Sequence, residues 1–104
     1  SMVDAAIAFA CKMLREPDVA DADRIAFGFT LATGRPPDPF EKKTLLQWLT
    51  DQERFYQQHP EEAASLIDSA DKHIDTTVAE APSVAAWTGV ARAILNLHET
   101  VSRN

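Results

Sequence analysis

Cysteine occurs once in these 104 residues, at Cys11, which rules out an internal disulfide and any zinc site built from cysteines. With no helix N-terminus or neighbouring histidine to lower its pKa, Cys11 is expected to be a small buried apolar residue on the first helix. Histidine is scarce too: His59, His73 and His98 fall on a loop junction, a loop and a helix, and their spacing matches no metal-binding motif. Three glycines and one tyrosine are too few for the tight turns and aromatic alternation of an all-β domain, so helix is favoured. No apolar run approaches the roughly 20 residues of a membrane span. Ten basic against sixteen acidic residues give a net charge of −6, and the basic residues are scattered, which argues against a phosphate-backbone partner, so no nucleic acid is expected. There is no glycine-rich phosphate loop, nucleophile elbow or Cys-x-x-Cys-His. The chain is therefore expected to be non-catalytic and to hold no cofactor of its own. Ser1-Met2 has the form of a tag-cleavage scar, so the natural chain is expected to continue upstream.

What is present reads as one all-α domain of four to five helices, spanning 1–104. Val3, Ile7, Ala10, Cys11 and Leu14 repeat at helical spacing until Glu16-Pro17. Asp21 or Asp23 is the expected cap of a second helix, Arg24 to Thr33, whose apolar residues Ile25, Phe27, Phe29, Leu31 and Ala32 surround the axis. That helix is expected to be central, and Gly34 with Arg35-Pro36-Pro37 closes it. Asp38-Pro39-Phe40-Glu41 carries a capping box with proline at the first helical position. The helix it opens should reach about Gln58, with Leu45, Leu46, Trp48, Leu49, Phe55 and Tyr56 inward and Lys42-Lys43 on a solvated face. His59-Pro60 restarts a short helix. Periodicity fails from 71 to 82, the longest loop, and Ser83 is the expected cap of a last helix running to about Val101.

The last helix holds the candidate site. Trp87, Val90, Ala91, Ile94, Leu97 and Val101 point one way, while Arg92, Asn96 and Glu99 share the opposite face at spacings that bring them within reach of one another. An arginine, an amide and a carboxylate so arranged suit the positioning of a carboxylate or a backbone segment. Asparagine is a poor helix-interior choice unless its side chain is used, which adds weight to Asn96. His98 projects into the apolar arc, where a buried imidazole needs a hydrogen-bond partner. Trp48, Trp87, Phe27, Phe29 and Phe55 are expected in the core. His73-Ile74-Asp75 offers an imidazole beside a carboxylate on the loop.

Two blocks carry a resemblance. Asp23-Arg24-Ile25-Ala26-Phe27 through Leu31-Ala32-Thr33-Gly34-Arg35-Pro36-Pro37, with the later Glu41, is the first. Ala86-Trp87-Thr88 through Val90-Ala91-Arg92-Ala93-Ile94-Leu95-Asn96-Leu97-His98-Glu99 is the second. Together they resemble the C-terminal part of a planctomycete-specific domain of unknown function that ends large proteins, many of which also carry a c-type cytochrome domain. The resemblance implies a periplasmic, cell-envelope or exported parent whose other domains hold any haem and are this chain's partners. It also implies an acid where this chain has His98. The resulting expectation is a structural or interaction module, with Arg92, Asn96, Glu99 and His98 as contact residues. Two other readings stand beside it. In one, His98 or His73 reaches a haem or metal held elsewhere in the parent; in the other, the chain is an acidic adaptor that dimerises, whose structural sign would be an exposed Leu or Trp stripe.

Overall fold

In a computed structural model, the backbone is described for residues 2–102 and side chains for residues 2–97. Among the described residues there are five helices and no strand: α1 Met2–Leu14, α2 Asp21–Thr33, α3 Pro39–Gln58, α4 Pro60–Asp68 and α5 Ala81–Ser102. The all-α bundle expected from composition is the architecture found.

Its centre is α5, which packs against all four other helices. This corrects the expectation that the 24–33 segment is central. Phe27 and Leu31 on α2 are 44% and 49% exposed, whereas Val84, Ala85, Ala86, Val90, Ala91 and Ile94 on α5 have no accessible surface. Both helices carry a wide apolar arc, but the alanines of α5 let neighbours approach closely along that arc, whereas Phe27 and Leu31 of α2 remain partly outside the packing.

α1 buries Ala6, Ile7, Ala10, Cys11 and Met13 and ends at Leu14, before Pro17. Asp18, at φ 59°, turns the chain in the left-handed region that a short polar side chain tolerates. The cap of α2 is the carbonyl of Ala20, which accepts from Arg24 N at 2.9 Å, and no side chain caps this end. Asp21 is already helical, and with Asp23 it places negative charge in the first turn, where the dipole favours it. Arg24 is only 8% exposed. Its Nη1 donates to the Met13 carbonyl, one of the acceptors that the end of α1 leaves open, and its guanidinium lies 5.8 Å from the Trp87 ring centroid. At Gly28 the two helices nearly touch: a Cβ there would sit 2.2 Å from Met13 Sδ.

The α2–α3 corner is clamped by charge and caps. Gly34, at φ 81°, donates its N–H to the Thr30 carbonyl at 2.9 Å. Arg35 grips Glu41 with two hydrogen bonds of 2.8 and 2.9 Å, and its guanidinium lies 5.0 Å from the Phe29 ring centroid. Glu41 Oε1 also accepts from Asp38 N at 3.0 Å while Asp38 Oδ1 accepts from Glu41 N at 2.7 Å, completing the capping box. These contacts, the Arg35 hydrogen bond foremost, hold the Glu41 pKa down at about 2. His59 ends α3 by donating its N–H to the Phe55 carbonyl at 2.9 Å, and its own carbonyl opens α4.

The loop from 71 to 80 is pinned rather than free. Asp71 N donates to Asp4 Oδ1 at 3.1 Å, and Ile74, Val78 and Ala79 pack on Ile7, Cys11 and Val84. α5 begins at Ala81, two residues before the expected cap, Ser83. Pro82 lies in the first turn, where no N–H is needed, and the Glu80 carbonyl accepts from Val84 N at 3.0 Å.

Two consequences are measurable. Trp87→Ala empties the point where α1, α2 and α5 meet and should cost about 3–5 kcal/mol in a urea melt; parental stability would contradict this packing. Glu41 is depressed from an ordinary value of 4.5 to about 2, so its contribution is complete above pH 4.5 and lost as pH falls towards 2. Glu41→Gln is therefore expected to lower the melting temperature at pH 7, with the gap to the parent closing across that window when melts are followed by circular dichroism.

Candidate interaction site

Arg92 and Asn96 lie exposed on the outer face of α5, as their spacing requires. His98 and Glu99 belong to the same helix, but their side chains lie outside the described residues. Arg92 and Asn96 line a cleft of about 300 Å³ between α3 and α5, together with Trp48, Gln52, Tyr56, Leu66, Thr88, Gly89 and Ala93.

The floor of this cleft is made by a glycine. Gly89 sits inside α5, where glycine costs about 1 kcal/mol relative to alanine. A Cβ at this position would lie 2.2 Å from Gln52 Oε1 and 2.8 Å from its Cδ. Its carbonyl accepts from Trp48 Nε1 at 3.1 Å, tying α3 to α5. Thr88 spends its hydroxyl on the Val84 carbonyl at 2.7 Å. Burial raises the Tyr56 pKa, while the Arg92 charge pulls it down and Glu62 pushes it up, so both charges are felt at the phenol.

Trp48 and Ala93 also border a second, apolar groove of about 720 Å³, lined further by Phe40, Leu45 and Leu97. Phe40, Trp48 and Leu97 are 76%, 43% and 42% exposed. This corrects the placement of Trp48, Phe55 and Leu97 in the core: Phe55 is also exposed, with its ring edge-on to Tyr56 and tilted against His59. At 100° per residue, Phe40, Trp48 and Phe55 fall within about 80° of one another on α3, beside the face carrying Leu45 and Leu49, which is buried. That angular offset is available in the sequence, and Phe40 and Trp48 of this set line the groove. The apolar arc of α3 is wider than the bundle covers.

The other candidates separate. His73 Nδ1 lies 2.9 Å from Asp71 Oδ1, so its carboxylate neighbour is Asp71 and not Asp75, which accepts from Thr77 N at 3.0 Å. These bonds hold both aspartates below the usual range, by hydrogen bonding to His73 and Thr77 respectively. Among the described residues no group of three His, Cys, Asp or Glu side chains is gathered to hold a metal ion, and no helix is long and apolar enough to cross a membrane. Comparison of the chain with family models, curated proteins and solved structures finds no match.

Cys11 is fully buried, and burial pushes its thiol pKa up. A thiol reagent such as DTNB is accordingly expected to label the native chain only as it unfolds, at a rate that rises with urea; immediate stoichiometric labelling would contradict the burial.

Proposed function

We propose that this chain is a non-catalytic helical interaction module of a larger exported protein, which docks to the other domains of that protein along the α3–α5 edge. The observation that carries this reading is the groove in which Phe40, Trp48 and Leu97 stand exposed side by side. Large apolar side chains gathered in one concavity and bordered by polar groups are the composition of a protein contact. Arg92 and Asn96 supply the adjoining polar border. The exported parent is supported by the resemblance of the Asp23–Pro37 and Ala86–Glu99 blocks to the planctomycete domain. A second reading, the dimerising adaptor, draws on the same exposed tryptophan and phenylalanines.

Calorimetry of the chain against the separately purified remainder of its parent tests the first reading. Binding is expected, and the pair Phe40→Ser and Trp48→Ser should weaken it at least about tenfold, since hot-spot truncations cost 2 kcal/mol or more. Melting of the double variant near the parental temperature confirms that the fold is intact. Equal binding by parent and double variant overturns the proposal; a mass that rises with concentration in sedimentation would favour the adaptor.

A further inference from the structure

The groove and the cleft meet at Trp48 and Ala93, which border both. The resulting trough follows α3 from Phe40 to Tyr56, about 24 Å at the rise of a helix, and its character changes along the way. Its first half is mostly apolar surface, with Glu41, Lys43 and Asp51 also in its lining. In its second half the small cleft is lined by Asn96, which already has a partner, and by three further side chains with hydrogen to donate, Gln52, Tyr56 and Arg92. None of the three makes a side-chain hydrogen bond or ion pair among the described residues. Two more donors at this spot are committed, Trp48 Nε1 to the Gly89 carbonyl and the Thr88 hydroxyl to the Val84 carbonyl.

A guanidinium, a phenol and a carboxamide lining one cleft offer donors to an acceptor group, and the cation among them, with no acid paired to it among the described residues, selects an anionic one. A carboxylate has the planar pair of oxygens that a guanidinium holds with two bonds. Glu62 is the acid whose field reaches Tyr56, yet it makes no ion pair with Arg92. The chain's net charge of −6 opposes a locally held carboxylate little, because charges more than about 8 Å apart are largely screened at physiological ionic strength.

We propose that the trough binds an amphipathic helix of the partner domain, with apolar side chains over Phe40, Trp48 and Leu97 and an Asp or Glu carboxylate held by Arg92, Tyr56 and Gln52. This rests on the docking function proposed above and specifies the chemistry of the partner. The trough is long enough for about four helical turns. Apolar anchors spaced at helical intervals beside one charged contact are the pattern of helix-in-groove recognition.

The test uses the intact chain and a synthetic amphipathic peptide of about 16 residues, with near-zero net charge and a leucine stripe that ends in one glutamate, compared with the same peptide carrying glutamine there. Nitrogen–proton NMR spectra should show shifts at the Trp48 indole and the Gly89 amide on titration with the glutamate peptide. The glutamine peptide should bind about tenfold or more weakly, as expected for loss of a charged hydrogen-bond partner. Arg92→Gln should abolish the difference between the two peptides without changing the melting temperature. Equal titration by both peptides overturns the proposal, as does a preference that survives in Arg92→Gln. Self-association of the chain that is lost in Trp48→Ser also overturns it, by giving the groove to a second copy. If Arg92→Gln binds the remainder of the parent as tightly as the unsubstituted chain while Trp48→Ser does not, the carboxylate site falls and the docking module stands. If the remainder of the parent does not bind at all, the docking module falls, and the peptide titration still judges the cleft on its own terms.

Discussion

The bundle is organised around a cation laid between a helix end and an aromatic ring. Arg24 reaches from α2 to the Met13 carbonyl of α1 and lies over Trp87 of α5. Three helices are thereby joined by one side chain, at a place nearly closed to solvent. A buried charge is costly unless its environment compensates it, and a carbonyl acceptor with an electron-rich ring face supplies that compensation without a second formal charge. The arrangement also sets distance. Gly28, one turn beyond Arg24, lets α2 settle onto the Met13 side chain, so the arginine's reach and the glycine's missing methyl specify the same helix separation.

A different division of labour governs the α2–α3 corner. There the Arg35–Glu41 pair is at the surface, where an isolated ion pair contributes little. What distinguishes it is that Glu41 serves the ion pair and the capping box at once. The start of α3 is thus fixed relative to the end of α2, and α3 carries most of the groove. The groove is held from behind by Leu45 and Leu49 and from the corner by Arg35.

Short-range chemistry was legible in the chain, and long-range coverage was not. The Asp38–Glu41 box, the Gly34 closure and the His59-Pro60 break each depend on atoms a few residues apart, and each forms as expected. Ser83 failed as a cap because Pro82 and Ala81 find the helix first, a competition among neighbours that residue type alone leaves open. Trp48 and Phe55 were misplaced for another reason. Helical periodicity states which side chains share an arc, but how much of that arc is covered depends on the number and width of the helices packed against it. Likewise, nothing local announces that Arg24 is buried, since its acceptor lies on α1 and its ring on α5. In the candidate site, the exposure of Arg92 and Asn96 followed from helical spacing, whereas Gln52 and Tyr56 joined them only through the crossing of α3 and α5 at Gly89.

The two tryptophans occupy opposite environments of this small fold. Trp87 is sealed in the core beneath a guanidinium, and Trp48 stands at the border of groove and cleft with its indole nitrogen tied to a backbone carbonyl. Their indoles are therefore two optical probes that report different events. Emission from Trp87 follows the integrity of the three-helix junction, and emission from Trp48 follows what covers the α3–α5 edge. With one tryptophan replaced by phenylalanine at a time, surface occupancy and global unfolding become separable signals within the same unlabelled chain.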